Sequence, residues 1–125
     1  MKILLVDDSR TMRNIWRKVV TSTPGVEVAE AGDGEEGLKA IQEQGPFDLI
    51  LLDWNMPNMD GITMAQKLRE TDKSTVIIMV TTEAEKPRII EAIKSGVNNY
   101  VVKPFTPDTL KAKIDETMKK AAQPA

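Results

Sequence analysis

Three aspartates, a threonine and a lysine are the residues of this chain best suited to chemistry. Asp7 and Asp8 follow one apolar run, Asp53 a second, Thr81 a third and Lys103 a fourth. Carboxylates held close together repel: at an effective dielectric of about 20, two like charges about 4 Å apart cost roughly 4 kcal/mol, which favours protonation or capture of a cation. Three acids leave coordination positions open, which suits Mg²⁺, a hard ion that keeps waters and shares its shell with phosphate oxygens. Beside such an ion the Asp53 carboxylate is a competent nucleophile toward phosphorus, and Lys103 can neutralise charge on the oxygens in flight. Thr81 offers a hydroxyl donor to one of those oxygens, and backbone N–H groups in the loop after Asp53 offer more. Each residue also has a plainer use, since an aspartate at a strand end commonly caps the next helix and Lys–Asp pairs are often structural. Convergence of all five at equivalent places in the chain is what points to a site.

Composition narrows the chemistry further. Among 125 residues there is no cysteine and no histidine. Thiolate zinc sites, disulfides and Cys-His or Ser-His-Asp catalysis are thereby excluded, and oxygen-ligated cations such as Mg²⁺ or Ca²⁺ remain. Any phosphoryl donor must then be another molecule. A net charge of -2, with acids and bases interspersed, provides no basic face, so no nucleic-acid partner is expected. Apolar residues make up 41% and charged residues 29%, ordinary values for a globular protein. No segment approaches the roughly 20 apolar residues that span a bilayer, and the acids in MKILLVDD interrupt the run a signal peptide needs, so a cytoplasmic protein without membrane attachment is expected. One domain over residues 1–121, with a frayed tail over 122–125, accounts for the length.

The elements that must position these residues can be read from the apolar runs. Lys2–Val6, Val26–Ala31, Leu49–Leu52, Val76–Val80 and Tyr100–Val102 read as strands, each followed by a stretch with helical spacing. LLV, LILL and VIIMV are apolar throughout rather than alternating, as parallel strands covered on both faces require. Helix starts are expected at Asp33 with Glu36, at Thr82 with Glu85, and at Thr106 followed by Pro107. Gly25, Gly45 and Gly96 fall where the chain turns back. Open parallel sheets bind ligands beyond the carboxyl ends of their strands, and Asp7, Asp8, Asp53, Thr81, Thr82 and Lys103 all fall at those ends. Pro104 keeps Lys103 out of helical geometry and allows a cis bond.

In order and spacing, VDDSRTMR at 6–13, DWNMPNMDG at 53–61, MVTTEAEK at 79–86 and YVVKPFT at 100–106 resemble the response regulator receiver domains, in particular their single-domain chemotaxis type, over nearly the whole chain. The resemblance implies an α/β, flavodoxin-like (βα)5 three-layer sandwich with a five-stranded parallel sheet in order 2-1-3-4-5. It implies Asp53 as phosphoacceptor, Asp8, Asp53 and the backbone carbonyl of Asn55 as Mg²⁺ ligands, and Asp7 as an acid acting through metal-bound water. Lys103 resembles the phosphate-contacting lysine, Thr81 the switch hydroxyl, and Tyr100 the aromatic residue that turns inward once that hydroxyl is drawn to the phosphate. By the same analogy Asn55 and Glu83 tune access of water and hence the lifetime of the acyl phosphate. Ile89, Tyr100, Val102 and Lys113 map onto a partner surface, although Ile89 and Val102 read equally well as core residues. Trp54 is a feature of the chemotaxis members. Ser9, Trp16 and Thr82 depart from their pattern, which leaves phosphotransfer intact and partner choice open.

The function so implied is a Mg²⁺-dependent phosphoryl acceptor that switches conformation. Its phosphodonor would be a CheA-like histidine kinase, its target a flagellar motor switch protein or another protein, and a phosphatase a further partner. A monomer is expected, catalysing only its own phosphorylation and dephosphorylation. The alternative is an isolated receiver acting in a phosphorelay or cut from a longer regulator. A metabolic phosphatase or mutase with an Asp nucleophile would need a substrate-binding insertion, for which five tight βα units leave no room.

Overall fold

The structure, a computed structural model, describes residues 1–122. Five strands alternate with five helices: β1 (Lys2–Val6), α1 (Arg10–Val20), β2 (Glu27–Ala31), α2 (Gly34–Gln44), β3 (Leu49–Leu52), α3 (Gly61–Arg69), β4 (Val76–Thr81), α4 (Lys86–Lys94), β5 (Asn99–Val102) and α5 (Pro107–Ala122). The sheet is parallel throughout in the order β2-β1-β3-β4-β5, the flavodoxin-like order the resemblance implied. Strand boundaries shift by a residue from the expected ones: β2 begins at Glu27, β4 ends at Thr81 and β5 begins at Asn99. Helix α5 runs through Ala122, one residue into the expected tail, and residues 123–125 lie outside the described residues.

Period-two alternation along the buried strands divides the core. Leu4, Val6, Ile50, Leu52, Ile77 and Met79 face one side, where they pack with Leu68 of α3, Ala40 of α2 and Ala92 of α4. Ile3, Leu5, Leu49, Leu51, Ile78 and Val80 face the other, against Trp16 and Val20 of α1 and Leu110 and Ile114 of α5. Strands β1, β3 and β4 are covered on both faces, which is why they are apolar without interruption.

Side-chain caps start α1, α2 and α3: Ser9 Oγ accepts the Met12 N–H at 3.2 Å, Asp33 that of Glu36 at 2.8 Å, and Asp60 that of Thr63 at 2.8 Å. Thr106 Oγ1 accepts from the Thr109 N–H at 3.0 Å ahead of Pro107, as expected. The expected cap of α4 at Thr82 is corrected. Residues 82–85 form a loop, and the helix begins at Lys86 with Glu85 at the cap position and no side-chain cap bond. Pro87 decides this: it lacks an N–H and is tolerated in the first turn, whereas a helix starting at Thr82 would carry it inside. The Gly45–Pro46 and Lys103–Pro104 peptides are cis.

Candidate functional site

The sheet order reverses between β1 and β3, and parallel register sets Val6 beside Leu52, so the residues that follow each strand emerge side by side. Asp7 and Asp8 leave β1, Asp53 leaves β3, and one carboxylate oxygen from each lies within 4.8 Å of the other two. Asp7 and Asp53 are buried, while Asp8 is exposed at the rim.

The backbone is fixed before the side chains are. The Asp53 N–H donates to Val6 O at 2.9 Å and the Asp7 N–H to Ala31 O at 3.1 Å, which continues the sheet ladder into the site. Arg13 of α1 donates to the Asp7 carbonyl at 2.5 Å and to Glu30 at 2.8 Å, tying the strand end to the helix above it. After Asp53 the chain folds back so closely that the Gly61 N–H reaches Trp54 O at 2.8 Å, and a Cβ on Gly61 would stand 2.1 Å from Asp53 O. The loop is held outside as well: Asn58 Nδ2 donates to Asp33 Oδ2 at 2.7 Å, and the Gly34 N–H to Met59 O at 3.1 Å.

Within this frame the carboxylates are differently satisfied. Asp7 accepts the Ser9 N–H on Oδ1 at 2.8 Å and pairs with Lys103 Nζ through Oδ2 at 3.3 Å. Asp53 Oδ1 accepts the Trp54 N–H at 2.9 Å and stands 3.5 Å from Lys103 Nζ, and its Oδ2 has no hydrogen bond among the described residues. Burial, and then the neighbouring charge of Asp7, push Asp53 from its ordinary 3.8 up to about 6 against the pull of Lys103. Burial likewise raises Asp7, against the Ser9 N–H and Lys103. One lysine therefore does not offset the acids gathered here.

Thr81 is fully buried at the end of β4, and its carbonyl accepts the Lys103 N–H at 2.8 Å, so the hydroxyl and the lysine are set by the same pair of strands. The Glu83 N–H reaches Thr81 Oγ1 at 3.4 Å, and the Tyr100 hydroxyl donates to the Glu83 carbonyl. Burial, with the Glu83 charge next, pushes that hydroxyl up to about 12, so it remains a donor at any physiological pH. Thr81, Glu83 and Tyr100 are thus one connected run.

Asn55 is exposed, two residues beyond Asp53. Trp54 is buried, with the Arg88 guanidinium 5.1 Å from its ring centroid. Of the surface residues expected on α4, β5 and α5, Val102 is exposed, and Tyr100, Val102 and Lys113 line one surface cavity of about 510 Å³ with Phe105. Ile89 is half-buried, whereas its neighbours Ile90 and Ile93 are 44% and 48% exposed. Sequence reasoning missed the bond from the Ser9 N–H to Asp7, and the residues Arg13 and Gly61. A Gly directly after the cap residue Asp60 was the available signal for the last.

Fold and site together define a receiver built around an acidic crevice, and comparison with known proteins agrees. The chain belongs to the response regulator receiver domain family, which it matches over residues 3–115. Its likeness within the family is to chemotaxis regulators. It is 45% identical over 118 residues to the chemotaxis protein CheY of Pseudomonas aeruginosa, covering 93% of this chain and 94% of that one. With the CheY homolog of Campylobacter jejuni it shares 43% over 120 residues, 94% and 92% of the two chains. Among solved structures, CheY4 of Vibrio cholerae superposes with a TM-score of 0.85 at 36% identity, covering 93% and 97%.

Proposed function

We propose that this chain is a phosphorylation-driven chemotaxis response regulator whose acceptor is Asp53. The observation that carries the reading is the meeting of the Asp7, Asp8 and Asp53 carboxylates within 4.8 Å of one another, with Lys103 Nζ at 3.3 Å from Asp7 and 3.5 Å from Asp53. An all-oxygen donor set with more negative charge than one lysine offsets fits a hard dication. Asp8, Asp53 and the Asn55 carbonyl would hold Mg²⁺ directly and Asp7 through water; when bound, the ion supplies charge neutralisation to the phosphoryl oxygens.

In the reaction Asp53 Oδ2, which accepts no hydrogen bond among the described residues, attacks the phosphorus of a phosphohistidine on a CheA-like kinase. The new O–P bond forms as the P–N bond breaks, the electron pair leaves with the imidazole, and the imidazole takes up a proton. Lys103 meets charge on the transferred group, and Thr81 donates its hydroxyl to a phosphoryl oxygen. Drawing Thr81 toward the phosphate loosens its link to Glu83, and the Glu83 carbonyl already holds Tyr100, so the change reaches the β5 surface. Asn55 and Glu83 border the path of the water that hydrolyses the acyl phosphate. The outcome is altered affinity for a protein target, a flagellar motor switch protein by analogy with the chemotaxis relatives, and a phosphatase would shorten the signal. Residues 1–121 form the unit that does this, as a monomer.

Incubation with Mg²⁺ and acetyl phosphate should add one phosphoryl mass, absent in Asp53→Asn and after EDTA treatment. A wild-type mass that stays unchanged under those conditions overturns the reading.

A further inference from the structure

Trp16 is the departure in α1 that the site has so far left unused. Its side chain is fully buried between α1 and the sheet, and its indole N–H is the one buried side-chain polar atom without a hydrogen-bond partner among the described residues. An aliphatic side chain would fill the same core without stranding a donor, so packing alone is a poor account of an indole at this position. Its ring is close to a group that an aliphatic side chain could not hold: Lys103 Nζ lies 5.7 Å from the ring centroid, within the range in which an ammonium is attracted to an aromatic face. The same nitrogen stands 3.3 Å from Asp7 and 3.5 Å from Asp53, and the Lys103 side chain is only 15% exposed.

We propose that Trp16 is a positioning residue for Lys103, its ring seating the ammonium group beside Asp53. The inference rests on the phosphoacceptor reading given above. An aromatic face attracts a cation without taking up an N–H in a directional bond. The ammonium is therefore kept in place while its donors stay available to phosphoryl oxygens, which a carboxylate or carbonyl in the ring's place would capture. Cation–π attraction is strongest for tryptophan and grows when the pair is desolvated, and both conditions hold here.

The test separates this role from core packing. Phosphorylation by acetyl phosphate is followed by intact mass, and Mg²⁺ affinity by calorimetry, in wild type, Trp16→Phe and Trp16→Leu. The expected result is a phosphorylation rate constant at least threefold lower in Trp16→Leu and within twofold of wild type in Trp16→Phe, with Mg²⁺ affinity within twofold in all three. In a Lys103→Ala background, Trp16→Leu should produce no further loss. Should Trp16→Leu fail to fold, fluorinated tryptophans incorporated in a Trp54→Phe chain weaken the ring's attraction with little change of shape, and the rate should fall stepwise with fluorine number. A wild-type rate in Trp16→Leu, a fall in Mg²⁺ affinity parallel to the fall in rate, an equal loss without Lys103, or indifference to fluorination would each overturn the proposal. A wild-type chain that accepts no phosphoryl group sinks the phosphoacceptor reading and this one with it, whereas the other failures leave that reading standing.

Discussion

Asp53 works under an electrostatic load that pH and substitution can reveal. Its folded-state pKa of about 6 lies above its ordinary 3.8, so between those values the folded chain keeps a proton that the unfolded chain has released. The folded state then binds more protons, stability falls as pH rises through that window, and the loss is complete above about pH 6. A rise from 3.8 to about 6 corresponds to about 3 kcal/mol. In EDTA at pH 7, Asp53→Asn should accordingly be more stable than wild type by about 1–3 kcal/mol in urea unfolding, with the gap closing below about pH 4. An equally unstable variant would mean that the acids do not burden one another. Trp54 gives a second readout, since its backbone N–H donates to the Asp53 carboxylate, which places the residue directly beside the site. In Trp16→Phe, where Trp54 is the remaining tryptophan, emission should change on adding Mg²⁺ and again with acetyl phosphate, the second change being lost in Asp53→Asn. A flat response at both steps would place the metal elsewhere.

At the scale of elements, the loop from Asp53 to Gly61 is the least forgiving piece. A Cβ at position 61 would sit 2.1 Å from a backbone carbonyl that cannot step aside. Gly61→Ala should therefore cost about 1–3 kcal/mol and also weaken Mg²⁺ binding, because relief requires the Asp53 backbone to move. Asp60→Ala, which removes only the cap of α3, should cost about 1 kcal/mol in thermal unfolding and leave Mg²⁺ affinity near wild type. Legibility in the sequence divides along the same line. Strands β1, β3 and β4 were readable because double-sided burial makes them continuously apolar, and Asp33 and Thr106 because a cap is a local signal. The start of α4 was misread because Thr82 and Glu85 imitate a capping box, and the constraint that decides the boundary, Pro87, lies further on. Asp7, Asp8, Asp53, Thr81 and Lys103 were legible through their places at strand ends. Arg13, Gly61 and the Trp16–Lys103 contact were not, since each depends on a tertiary approach that spacing does not encode.

For the molecule as a whole, a dication bound only by the folded state must raise stability. At a Mg²⁺ concentration about 100 times its dissociation constant the gain should be about 2.7 kcal/mol, visible as a higher melting midpoint that EDTA reverses. Asp53→Asn should show a smaller gain, and an unchanged wild-type midpoint would argue against a folded-state site. That stability is unevenly shared. Three strands lie between helices on both sides, whereas α4 contributes a single fully buried residue, the small Ala92. A helix whose one fully buried side chain is a methyl group has little cohesion to lose when it lifts away. Its amide hydrogens should trade with deuterium well ahead of those in the central strands, so the segment beside the crevice melts locally at small expense while the sheet beneath it stays shut.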